Sequence, residues 1–189
     1  MDDLTNAQRL YYNQLDSLNT TLLGTRGGKW LEFPYAAIQR TTDKTFTANT
    51  ATQITFDQSD YLSGCINDGT DGIEVEQSGI YNYQFSVQLK NTDTQIHSAW
   101  VWLRVNGVDV AGTGSKFDVI ASHGGTPGYV IAACNFFVEL AAGDTVEMWA
   151  AVSDVAITFD ATAAQTVPFA MPAIPSVVAT LSFVSNVPA

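Results

Sequence analysis

The chain has 189 residues, enough for one domain plus a tail, and a formal net charge of −11. Only 14% of its residues are charged, against roughly 25% in ordinary globular chains, so neutral polar side chains or neighbouring molecules must cover much of the surface. The acidity, with no Lys or Arg after Lys116, argues against binding nucleic acid or anionic lipid, and no run of about 20 apolar residues offers a membrane span.

The chain opens Met-Asp-Asp-Leu-Thr, without a basic region or an apolar run, which argues against a signal peptide and for synthesis in a cytoplasm. Residues 2–23 then carry the one convincing helical pattern. Leu4, Tyr11 and Leu18 recur at sevens, and Leu15 and Leu22 follow Tyr11 and Leu18 by four. Asp2 and Asp3 favour the helix start, and Gly24, Gly27 and Gly28 favour its end. A lone helix of this length is marginal in water. Residues 1–29 are therefore expected to be an arm that docks through Leu4, Tyr11 and Leu18 on its own domain, a sister subunit or another protein.

Residues 30–189 change to a period of two. Weaker strands are predicted at 35–40, at 53–56 after a Thr-rich stretch, and at 72–75. The clearest is 79–90, with Tyr81, Tyr83, Phe85, Val87 and Leu89 on one face and Asn82, Gln84, Ser86 and Gln88 on the other. Residues 99–105 follow, with Val101, Leu103 and Val105 inward and Trp100, Trp102 and Arg104 outward; Asn106-Gly107 then predicts a hairpin into 108–110. Residues 112–128, with five glycines and Pro127, read as a long irregular connection. Residues 129–140 are apolar on both faces and lead through Ala141-Ala142-Gly143-Asp144 into a strand at 145–152. Strands at 156–159 and 176–184 flank an apolar loop, 160–175, stiffened by three prolines. About nine short strands with turn signals between them predict an all-β sandwich or barrel rather than βαβ units.

The order of these motifs resembles the jelly roll shared by the tumour necrosis factor superfamily and the globular head of the complement q subcomponent. Gln53-Ile54-Thr55-Phe56-Asp57 is similar to its early strand, and Gly79-Ile80-Tyr81-Asn82-Tyr83-Gln84-Phe85 to its Gly-(Ile/Val)-Tyr-x-Phe strand. Trp102-Leu103-Arg104-Val105-Asn106-Gly107 looks like the strand ending in Asn-Gly, and Leu140-Ala141-Ala142-Gly143-Asp144-Thr145-Val146 like the Leu-x-x-Gly-Asp-x-Val turn. The closing strand falls at 177–184. The resemblance covers roughly residues 35–185 and implies a two-sheet jelly-roll sandwich, a trimer about a threefold axis, and a non-enzymatic role in binding proteins or glycans. Such heads also occur in tailed-phage virion proteins. The lack of a signal peptide and of a collagen-like stem departs from the secreted members and favours a particle component. In the family the strand at 129–140 and the last strand line the threefold axis, which makes Ile131, Phe137 and Phe183 the expected subunit contacts.

The residues that chemistry would need are sparse. His97 and His123 lie in polar loop-like segments, and Cys65 and Cys134 read as free thiols, Cys134 as a small hydrophobe within a strand. No nucleophile elbow, zinc-protease or phosphate-loop motif occurs. The loop 67–72 is rich in Asp and Gly, but Gly69 falls in a ligand slot and no Glu closes the pattern, so it reads as a turn rather than a calcium site. Trp100 and Trp102 mark a binding surface or lie under a neighbouring segment, and Phe169 and Met171 mark a contact loop or fold over the end of the sandwich.

The sequence thus predicts an all-β, two-sheet jelly-roll sandwich (residues 30–189) with an N-terminal helical arm (1–29). It is expected to need no cofactor or metal, to form a homotrimer, and to serve in a virion as a capsid decoration (cement) protein contacting the major capsid protein or other virion proteins. The alternatives are a receptor-binding tip or short tail fibre, and a cellular complement-q-like binding module.

Overall fold

In a computed structural model of the chain, residues 9–15, 33–67 and 72–187 are described. The chain divides into two compact units, Met1–Phe33 and Pro34–Ala189. In the first, residues 9–15 are helical; the remainder of the predicted helix lies outside the described residues. Among the described residues no helix is long and apolar enough to cross a membrane.

The second unit is two antiparallel sheets packed face to face. Its strands are β1 (Tyr35–Arg40), β2 (Thr52–Ile54), β3 (Gln58–Ser63), β4 (Cys65–Ile66), β5 (Ile73–Val75), β6 (Gly79–Asn91), β7 (His97–Val105), β8 (Val108–Asp109), β9 (Ser115–Val119), β10 (Gly128–Leu140), β11 (Thr145–Val152), β12 (Ile157–Phe159) and β13 (Val177–Ser185). One sheet runs β10-β6-β13-β1-β3, with β12 also on β6; the other runs β4-β5-β11-β7-β8, with β2 on β11 and β9 on β7. Non-consecutive neighbours on both sheets make this a jelly-roll sandwich, as the motif order implied.

Period two explains why the layers form where they do. On β6 the side chains of Tyr81, Tyr83, Phe85, Val87 and Leu89 are buried while the alternate residues face outward. Val101 and Leu103 of β7, Val146, Met148 and Ala150 of β11, and Val177, Ala179 and Leu181 of β13 complete the shared core. β6 and β10 pair along their full lengths, from Gly79↔Leu140 to Asn91↔Gly128. At the predicted hairpin, Asn106 (φ 50°) and Gly107 (φ 78°) are both left-handed, as a tight turn between twisted strands requires. The Asn106 side chain locks that turn to the next: its Oδ1 accepts from Thr145 N at 2.9 Å and its Nδ2 donates to Asp144 Oδ1 at 2.8 Å.

Three strands escaped the sequence pattern. β3 and β4 fill the stretch between predicted strands, and β9 lies inside the segment 112–128 that reads as irregular. β9 pairs with β7 from His97↔Val119 to Val101↔Ser115; its Phe117 and Val119 face the core while Lys116 and Asp118 are exposed, an alternation too brief to stand out among the flanking glycines.

The predicted loop 160–175 is an excursion from a single strand line. β12 and β13 pair with the same edge of β6, and the chain leaves that edge between them. Gln88 pinches its base: its carbonyl accepts from Asp160 N at 2.8 Å, and its N–H donates to Ser176 O at 2.9 Å. Above the base, bridges at Thr162↔Ile174 and Gln165↔Met171 make a narrow hairpin.

Candidate interaction surfaces

The outward face of the β6 sheet is built from alternate residues of β10, β6, β13, β1 and β3. β10 contributes Tyr129, Ile131, Ala133, Asn135 and Phe137, all exposed. β6 contributes Asn82, Gln84, Ser86 and Gln88, β13 contributes Val178, Thr180 and Ser182, and β1 contributes Tyr35, Ala37 and Gln39. Register sets these in rows. Phe137, Asn82, Ser182 and Tyr35 form one; Asn135, Gln84, Thr180, Ala37 and Tyr61 of β3 form the next. Between Glu139 and Lys90, at opposite ends, no charged side chain points outward from β10, β6 or β13. A trough of about 500 Å³ runs through the middle, lined by Gln84, Ser86, Ala133, Asn135, Val178 and Thr180.

Large apolar side chains stand along both edges of this face. Ile131 and Phe137 are each 65% exposed, and Tyr35 and Tyr61 are exposed at the β1–β3 side. Phe183, expected beside Ile131 and Phe137, points the other way. It lies on the core-facing side of β13, edge-on to Tyr81 at 5.6 Å between ring centres. Gly79 makes room for it, since a Cβ there would come within 2.4 Å of the Phe183 ring. The parity of β13 sets this side: Val177, Ala179 and Leu181 are buried, so Phe183 follows them inward while Val178, Thr180 and Ser182 face out.

The outward face of the other sheet is differently made. Trp100 and Trp102 do face away from Val101 and Leu103, but both are only half-exposed. Trp102 opposes Trp149 of β11, which the sequence reading did not single out although period two in 145–152 puts it outward with Glu147. The Arg104 guanidinium lies 3.8 Å from the Trp149 ring centre and 5.9 Å from that of Trp102. Its Nε donates to Asp109 Oδ1 at 2.6 Å, and Trp102 Nε1 donates to the same oxygen at 2.7 Å. The Arg104 and Trp102 hydrogen bonds hold the Asp109 carboxyl below the usual carboxylate range. Glu147 accepts from Trp149 Nε1 and from Gly107 N, both at 2.7 Å. The indoles of Trp102 and Trp149, the guanidinium and both carboxylates thus have partners within the face.

The hairpin 161–175 ends in an apolar tip. Val167 is 80% and Phe169 61% exposed, whereas Met171 is half-buried, its backbone bonded to Gln165. Of the arm residues, Tyr11 is exposed and edge-on to Tyr12 at 6.2 Å; Leu4 and Leu18 lie outside the described residues, as does most of the acidic turn at 67–72.

The side chains with chemical potential are held in structural contacts. His97 Nε2 lies 2.7 Å from Asp93 Oδ2, and His123 pairs by backbone with Thr126 in a turn. Burial, reinforced by the nearby Glu76 charge, pushes the Cys65 thiol up to about 11, which leaves it protonated at neutral pH. The Cys134 thiol meets Ser115 Oγ at 3.3 Å. Among the described residues no three His, Cys, Asp or Glu side chains are grouped for a metal ion.

No family model matches the chain, and no curated protein matches it. Among solved structures it is similar to the globular domain of zebrafish complement 1qA protein. The two share 12% identity at a TM-score of 0.49, over 82% of this chain and 100% of that one.

Proposed function

We propose that this chain is a non-enzymatic structural protein that works as a homotrimer joined through the outward face of the β6 sheet, and that its place is on a bacteriophage particle as a capsid decoration (cement) protein. The uncharged centre of that face carries the reading. Copies of a chain with a net charge of −11 repel one another, so close packing is least opposed where the surface holds no charge. The β6 sheet offers such a region, edged by Ile131, Phe137, Tyr35 and Tyr61, while the opposite face carries Glu74, Arg104, Asp109, Lys116 and Asp118. The threefold arrangement comes from the resemblance to tumour necrosis factor and complement q heads. The virion setting comes from the same resemblance together with the neutral polar composition and the predicted arm, which would meet the major capsid protein. Many such weak contacts add by multivalency over a shell.

A phage encoding this chain tests the reading. Its particles should carry hundreds of copies, and shells assembled without the protein should break at a lower temperature. A few copies per particle, with binding of the isolated protein to host cells, would replace it with the receptor-tip reading, which the half-exposed Trp100, Trp102 and Trp149 favour. Absence from particles would overturn both.

A further inference from the structure

The hairpin 161–175 stands on the side of the β6 sheet that faces outward. Its root residues Thr162 and Ile174 wall one side of a hollow of about 360 Å³, with Tyr129 and Ile131 of β10 opposite and Gln88 and Asp160 below. Residues 161–175 contain no charged side chain, and the one carboxylate in the hollow, Asp160, is paired with Lys90 Nζ at 2.8 Å. The hairpin is therefore continuous with the uncharged sheet face at its base, while its tip stays uncovered by its own domain.

We propose that the hairpin is a clasp between copies, with the Val167–Phe169 tip of one copy seated in the hollow between Tyr129, Ile131 and Ile174 of the next. The proposal rests on association through the β6 sheet, because any copy packed against that face must also meet the hairpin rising from it. Two features select the occupant. An uncharged apolar tip escapes the repulsion that acidic copies otherwise exert on each other. An apolar ring also suits the hollow better than the neighbouring trough, whose Gln84, Ser86, Asn135 and Thr180 side chains would lose water without gaining partners. The contact is heterologous, knob to hole, and such contacts close into a ring when the rotation permits.

The test is oxidation of the full chain carrying Phe169→Cys and Ile131→Cys, with each single variant and the unaltered chain alongside. The double variant should give covalent oligomers on a non-reducing gel and the three controls none. Val167→Asp with Phe169→Asp should weaken association about tenfold or more. If the unaltered chain is a trimer but the double variant stays uncrosslinked, the clasp is wrong and the trimer stands. A disulfide within one chain, seen as a faster-migrating monomer, would mean the tip folds back on its own domain and would also overturn the clasp. An unaltered chain that is monomeric at micromolar concentration would remove both ideas.

Discussion

The two outward faces of the sandwich differ in how their side chains are satisfied. On the β7 sheet the large aromatic groups are knitted into ion pairs and hydrogen bonds within the chain: Arg104 covers Trp149, Asp109 accepts from both Arg104 and Trp102, and Glu147 holds Trp149 and the backbone of Gly107. On the β6 sheet the large groups, Ile131, Phe137 and Tyr61, stand exposed around a floor of Ala, Ser, Thr and amide side chains. On one face the charged and indole groups of the Arg104 cluster find partners within the chain, with Val108 and Ile66 exposed on its outer strands, whereas the other presents clustered aromatic and aliphatic surface of the kind that marks contact with another molecule.

The contrast can be broken by matched substitutions. Phe137→Asp should have the largest effect. A carboxylate forced into the contact without a partner should weaken self-association on the order of 100-fold while the monomer's unfolding midpoint stays nearly fixed, read by sedimentation and thermal unfolding. Trp149→Ala should do the reverse. The lost packing and cation–π contact should lower unfolding stability by about 2 kcal/mol, with the oligomer's mass unchanged by light scattering. If Trp149→Ala dissociates the oligomer and Phe137→Asp does not, the two faces have been assigned the wrong way round.

Salt sharpens the same comparison at smaller scale. Net repulsion between acidic copies is screened as ionic strength rises from about 0.05 to 0.5 M, and the proposed contact relies on no ion pair between copies. Association should therefore tighten a few-fold with salt; weakening would mean that charged pairs hold the interface. The smallest effect concerns acid. Burial works to raise the Asp57 carboxyl, but hydrogen bonds from Thr41 N, Thr41 Oγ and Thr42 Oγ, with the Arg40 charge, leave it below its ordinary value. Its contribution is present above the unfolded value of about 3.9 and is lost as the pH falls through the folded one. Asp57→Asn should thus be slightly less stable than the parent at pH 6, and the gap should close towards pH 3 in denaturant titrations.

Much of the fold was legible because strand parity is written directly in side-chain polarity. β1 and β11 fall where the alternation put them, and β6 and β10 differ from it only at their ends. Asn106-Gly107 announced its turn because only left-handed backbone fits there. β3 was hidden because it is an edge strand that carries Ser and Gln, β4 because two residues show no period, and β9 because its brief Phe117/Val119 alternation sits among glycines. Ile131 and Phe137 were readable as a second apolar face on β10, whereas the side of β13 on which Phe183 lies was not. In a strand as apolar as 177–184, composition does not say which parity faces in, and Gly79, beside the Phe183 ring, was the available signal. The arrangement of Arg104 between Trp102 and Trp149 depends on β7 and β11 pairing in one register, which no local pattern encodes.

The mass of the full chain in solution tests the central claim most directly. Sedimentation equilibrium at micromolar concentration should give three times the 20.4 kDa of one chain for the unaltered protein and a monomer for Phe137→Asp. A stable monomer for the unaltered protein, with Ile131 and Phe137 open to solvent, would contradict it.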